Sequence, residues 1–199
     1  MQSSGRQKQL IEGDIPIESI KSVSSEIVLS SELLQDWQNK VHSHQTILFD
    51  KKEIIPKQTS LFPSSGKTGI EDFEPLSLIP LSLNFWKWPS SPHRGPAIYL
   101  VMDRPKDLRN PIILYIGETV AAEKRWKGEH DCKAYLASYS EALSTAGLGA
   151  KLSIRFWTDV PKETRPRREI EQLLIQFWLP PFNKETRERW KTPFTQDPF

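Results

Sequence analysis

The sequence predicts an α+β domain, a small three-stranded antiparallel sheet flanked by helices. It is preceded by an N-terminal extension that holds one helix and a proline-rich segment. Three observations predict it. Residues 97–103 (AIYLVMD), 112–117 (IILYIG) and 152–160 (LSIRFWTDV) are runs of strand length, rich in β-branched and aromatic residues. Residues 119–128, 133–146 and 167–178 read as helices. The resulting order, β-β-α-α-β-α, puts helices around one sheet.

Each element has its own signal. Residues 1–30, rich in Ser, Gln and Lys, read as a flexible leader. Leu33, Leu34, Trp37 and Val41 then fall near helical spacing, with Ser30 or Ser31 as N-cap, so a helix is expected over 31–45. TILFD (46–50) reads as a short strand and KQTSLFPSSGKTG (57–69) as a loop. Residues 73–92 hold Pro75, Pro80, Pro89 and Pro92 among several leucines. Proline lacks an amide proton and has a fixed φ, so neither a central strand nor a long helix fits. The segment is expected to run extended across the next domain and to pack Phe85 and Trp86 onto it.

From Pro96 the pattern is regular. The first two strands form a hairpin around the loop DRPKDLRNP (103–111). Gly147 and Gly149 end the helix over 133–146. In 167–178, Ile170, Leu173, Leu174, Phe177 and Trp178 recur at core-facing helical intervals, and Pro180 and Pro181 stop the helix. The chain thus divides into a leader (1–30), an extension (31–92), a domain (93–190) and a tail (191–199).

Composition narrows the function. The chain has 199 residues, 37% hydrophobic and 26% charged, which suffices for a core. Its net charge is only +2, so any nucleic-acid partner must meet a local patch. Residues 1–92 hold 9 basic and 11 acidic residues, and 93–199 hold 18 and 14, which assigns the positive surface to the second half. No run approaches the roughly 18 apolar residues of a membrane span, and the start lacks a secretory pattern. One cysteine, Cys132, excludes a disulfide framework and any zinc site needing paired thiolates. A soluble, cytoplasmic protein is expected.

The strands carry a resemblance. Ala97-Ile98-Tyr99 and Tyr115-Ile116-Gly117 resemble the two strand signatures of the GIY-YIG nuclease superfamily. Arg125 follows the second tyrosine by ten residues, as that family's helix arginine does, and EKRWK (123–127) is similar to the same helix in phage homing endonucleases. Glu171 precedes Asn183 by twelve residues, and EQLLIQFWLPPFN resembles the matching stretch of the bacterial excision-repair nuclease subunit. The resemblance covers about 97–183. Ala97 replaces the first glycine, and the loop between the strands is longer than usual, which costs little closure entropy. Glu118, directly after the second signature, departs more: a carboxylate there repels phosphate unless it helps hold a metal or points away.

The resemblance implies a metal-dependent endonuclease that hydrolyses DNA phosphodiester bonds, with RNA not excluded. Its catalytic residues here are Tyr99, Tyr115, Arg125, His130 and Glu171. A hard cation, Mg²⁺ or Mn²⁺, prefers oxygen ligands and keeps several waters, so the single carboxylate of Glu171 suffices as protein ligand. Arg125 offers a planar fork for two phosphate oxygens. One of the two tyrosines takes part in activating the water, and an ordinary phenol pKa near ~10 requires help from a cation. His130 assists the base or binds phosphate. Gly117 and Asn183 are structural, the amide of Asn183 bridging backbone groups. Lys127, Lys162, Arg165, Arg167 and Arg168 are expected to bind nucleic acid. Trp126 and Trp157 are expected to pack in the core.

Competing readings keep the fold without the chemistry: a nucleic-acid-binding module that does not cut, or a protein-interaction module using 73–92. Other signals fail. SGKT (65–68) has Leu61 where a phosphate loop needs its first glycine. His42 and His44 point to different faces of a helix, and Cys132 lacks the neighbours of a catalytic thiol.

Overall fold

In the computed structural model, which describes residues 29–50, 73–87, 92–127 and 131–192, three antiparallel strands are ordered β2-β1-β3. These are β1 (Ala97–Asp103), β2 (Ile112–Thr119) and β3 (Leu152–Trp157), accompanied by helices α1 (Ser31–Asp50), α2 (Asp131–Thr145) and α3 (Thr164–Trp178). Central β1 is buried along its whole length, as a strand covered on both faces must be. Ala97, Tyr99 and Val101 point into a core with Leu34, Trp37 and Val41 of α1, Leu136, Tyr139 and Leu143 of α2, and Phe182. Ile98, Leu100 and Met102 point the other way, onto Ile170, Leu174, Ile175 and Trp178 of α3. The coarse α+β expectation, a three-stranded antiparallel sheet with helices, is met.

Several boundaries differ from expectation. Residues 46–50 continue α1 and are not a strand, because tertiary contacts override the β-branched Thr46 and Ile47. The Gln45 amide is buried against β2, and Phe49 packs on Trp178 with ring centres 4.7 Å apart. The helix expected over 119–128 is absent from its described part, residues 119–127. β2 runs on to Thr119, and 121–127 form consecutive hydrogen-bonded turns, with Arg125 N and Lys124 N both donating to Ala121 O. β3 ends at Trp157, and α3 begins at Thr164 with Pro166 in its first turn, where a missing N–H costs nothing. Ser30 does cap α1, its Oγ accepting from Leu33 N at 3.3 Å. Most of the leader, the 57–69 loop and residues 193–199 lie outside the described residues.

The extension is built into the same cores. Leu81 bridges Ile154 on the β3 edge through two backbone hydrogen bonds of 2.8 and 2.9 Å. Arg155 reaches from β3 to the carbonyls of Pro75, Leu76 and Leu78, and Phe85 is fully buried. At the opposite edge, side chains and one backbone N–H occupy outward backbone groups of β2 that would otherwise template another strand. Gln45 brackets Ile113 through both its amide atoms, and Phe182 N donates to Leu114 O. Asn183 brackets Ile116, accepting from its N–H at 3.0 Å and donating to its carbonyl at 2.8 Å. Among the described residues no helix is long and apolar enough to cross a membrane.

Candidate active site

A break in strand register sets the two tyrosines. Tyr99 stands opposite Gly117 and Val101 opposite Tyr115, but Met102 stands opposite Ile113, so Leu114 is an extra residue in β2. In a regular strand Ile113 and Tyr115 share a face. The bulge sends Ile113 to the α3 side and keeps Tyr115 on the side of Tyr99. The rings lie 5.9 Å apart at 29° between planes. Gly117 makes this stack fit. A Cβ there would lie 2.5 Å from Tyr99 Cζ and Oη and 2.8 Å from Tyr115 Cε1, inside any tolerable contact.

Arg125 reaches the pair from the turn after β2. Its Nε donates to the Tyr99 hydroxyl at 3.0 Å, and its guanidinium carbon is 5.5 Å from that ring's centre. The turn is held at both ends. Ala122 N donates to Gly95 O, Gly95 N donates to Glu123 Oε2 at 3.0 Å, and Lys133 Nζ donates to Trp126 O at 2.6 Å. Burial, with Tyr115 beside it, holds the Tyr99 hydroxyl well above its ordinary pKa, against the opposing pull of Arg125. Burial pushes Tyr115 up to about 12, with the Cys132 thiol as the next contributor and a hydrogen bond from Tyr99 opposing. Both tyrosines are therefore neutral hydroxyls near pH 7.

Glu171 comes from α3 on the other face and reaches the outer edge of β2. Its Oε1 accepts from Glu118 N at 2.9 Å, and no other hydrogen bond meets the carboxylate from the described residues. Burial lifts its pKa to about 7; the Glu118 N–H opposes this, and the Glu118 and Glu185 carboxylates add to it. A half-buried carboxylate with one oxygen outside any hydrogen bond to the described residues can take a divalent cation. Among the described residues no group of three His, Cys, Asp or Glu forms a fuller ligand cage. The fit is to a hard cation that keeps most of its waters.

The structure separates the basic residues that the sequence grouped. Lys127, Lys162, Arg165 and Arg168 are exposed, with Arg165 paired to Glu169 and Arg168 to Glu118. Arg167 is not a surface residue. It is fully buried, with Nε 2.9 Å from Glu118 Oε2 and Nη1 donating to Pro161 and Lys162 carbonyls, so phosphate cannot reach it. Trp126 is buried edge-on to Tyr99, and Trp157 packs on Phe73. Cys132 is buried. His130 lies outside the described residues.

Sequence reasoning left two residues without a role. Glu118 is held by Arg167 and Arg168, and its signal was its oddity after Gly117. Arg94 is exposed next to Gly95, to which the Arg125 turn is tied, and no sequence pattern marks it.

No family model, curated protein or solved structure matches the chain. The GIY-YIG resemblance therefore stands on the residues described above.

Proposed function

We propose that this protein is a GIY-YIG-like endonuclease that hydrolyses DNA phosphodiester bonds with one divalent cation, Mg²⁺ or Mn²⁺, held by Glu171. The observation that carries the reading is the stack of Tyr99 on Tyr115 over the missing Cβ of Gly117, with Arg125 hydrogen-bonded to it. A buried tyrosine hydroxyl needs a hydrogen-bond partner, and here the partner is a guanidinium, whose remaining N–H groups suit phosphate oxygens. Glu171 approaches from the other face at the β2 edge, and its charge adds a little to the upward shift that burial gives Tyr115.

The two tyrosines divide the work. Tyr99 is completely buried, and its hydroxyl fixes the plane and direction of the Arg125 guanidinium. Tyr115 is half-buried and meets the attacking water. With a pKa near 12 it is no phenolate, so it takes the water's proton only while giving its own to a non-bridging phosphate oxygen, and the leaving oxygen takes a proton from solvent. Water attacks phosphorus, the bond to the leaving oxygen breaks, and Arg125 lies where charge builds on the phosphoryl oxygens. When bound, the cation supplies Lewis-acid polarisation of that phosphate.

The DNA backbone is assigned to the side of the Arg125 turn. Arg94, Lys124 and Lys127 are exposed there, whereas Arg165, Arg167 and Arg168 at the start of α3 are paired with glutamates. Only Lys162 beside them is exposed without such a pair among the described residues. A screen of duplex, single-stranded, flap and junction DNA, with RNA counterparts, tests the function. Cutting of at least one DNA substrate that needs Mg²⁺ is expected. Tight binding with no cutting of any substrate would favour a non-cleaving module on the same fold.

A further inference from the structure

Three contacts from α3 converge on Glu118. Arg167 Nε meets one carboxylate oxygen at 2.9 Å, Arg168 Nε meets the other at 3.2 Å, and Glu171 Oε1 accepts from the Glu118 N–H at 2.9 Å. Arg167 and Glu171 are four residues apart on α3, so they stand one above the other on the same helix face. The Arg167 guanidinium also donates to the carbonyls of Pro161 and Lys162 at 3.0 and 2.8 Å, tying the approach to α3 into the same knot. A buried ion pair adds little net stability over well-packed apolar residues, but in some proteins such a pair sets register. Here the register that it fixes is that of Glu171 against the end of β2. The two arginines also neutralise the carboxylate that stands beside the site.

We infer that Glu118 and Arg167 are positioning residues, a buckle between β2 and α3 that sets where the Glu171 carboxylate holds its cation. The inference rests on the reading of Glu171 as metal ligand. Its test is Mn²⁺ binding, followed by electron paramagnetic resonance on the 199-residue chain without DNA. Glu118→Asp keeps the charge but is a methylene too short to reach both arginines. Arg167→Gln removes a positive charge near Glu171, which by Coulomb attraction alone would tighten cation binding. Lost positioning does the opposite. Both variants are expected to bind Mn²⁺ about tenfold more weakly than the parent while still folded, the scale seen when outer-shell partners of metal ligands are removed.

If Arg167→Gln does not fold, Glu118→Asp decides alone. A folded Glu118→Asp protein with lower thermal stability and the parent's Mn²⁺ affinity would overturn the inference, as would tighter Mn²⁺ binding by Arg167→Gln. A parent that binds no Mn²⁺, or binds it as well after Glu171→Gln, overturns the ligand reading and this inference with it. That failure is recognisable because it appears before residues 118 and 167 are touched.

Discussion

At the start of α3, Arg167 is fully buried and Arg165 and Arg168 are each paired with a glutamate. On the turn after β2, Lys124 and Lys127 are exposed and Arg125 is directed onto Tyr99. The two regions have similar residues in different surroundings. What separates them is the carboxylates they face. Glu118 and Glu169 engage the α3 cations, while Glu123, the acid of the turn, accepts from the Gly95 N–H through its Oε2. Arg167 ties α3 to β2, whereas Lys124 and Lys127 remain on the surface.

The largest expected effect breaks the first region. Arg167→Ala strips Glu118 of its buried partner, and urea unfolding should show a loss of about 3–5 kcal/mol. Arg165→Ala, two residues away on the exposed face, should stay within about 0.5 kcal/mol. Equal small losses would erase the distinction between the two arginines. Arg125→Ala belongs to the second region and should leave the fold intact while slowing cleavage by roughly 10²–10³-fold, as for other lost charge-stabilising donors. A folded variant with a near-parent rate would remove Arg125 from the chemistry.

The contrast between these regions also marks how far the sequence could be read. Strands β1 and β2 were legible because their apolar runs are buried on two faces, and α3 because its stripe repeats at helical spacing. Tyr99, Tyr115, Gly117, Arg125, Glu171 and Asn183 were nameable through motif spacing. The bulge at Leu114 was not, since an extra residue alters no composition, yet it decides which face Tyr115 takes. Arg167 was misassigned because a charge run does not say which member meets a buried acid. Its distance of four from Glu171 was visible, but Glu118, its partner, comes from 49 residues earlier in the chain. The end of α1 was missed for a similar reason, as Gln45 is held by groups on β2 and at the end of α3.

Salt dependence sharpens the comparison at smaller amplitude. Replacing Arg94, Lys124 and Lys127 with alanine should flatten the slope of log affinity against log salt by up to about 0.9 per lost contact on duplex DNA. Replacing Lys162 and Arg165 should leave it unchanged. The reverse result moves the DNA path to α3. Glu171 also sets a pH dependence of stability. The Glu171 pKa of about 7 lies above its ordinary 4.5, so between these values the folded state holds more proton than the unfolded one. Its contribution is complete below about 4.5 and is lost as pH rises through about 7. The melting temperature of Glu171→Gln should therefore match the parent near pH 4 and exceed it increasingly up to pH 8. A difference that does not change with pH would place Glu171 in water.

Glu171→Gln is also the most direct test of the site as a whole, because it preserves size while removing the charge that would hold a hard cation. Parent and variant are to be compared for cleavage of labelled DNA in Mg²⁺ and in excess EDTA, with binding followed in parallel. The account predicts a parent that cuts only with Mg²⁺ and a variant that binds the same DNA at least as well and does not cut. A variant that cuts at the parent rate in Mg²⁺, or a parent that cuts equally well in EDTA, would contradict it.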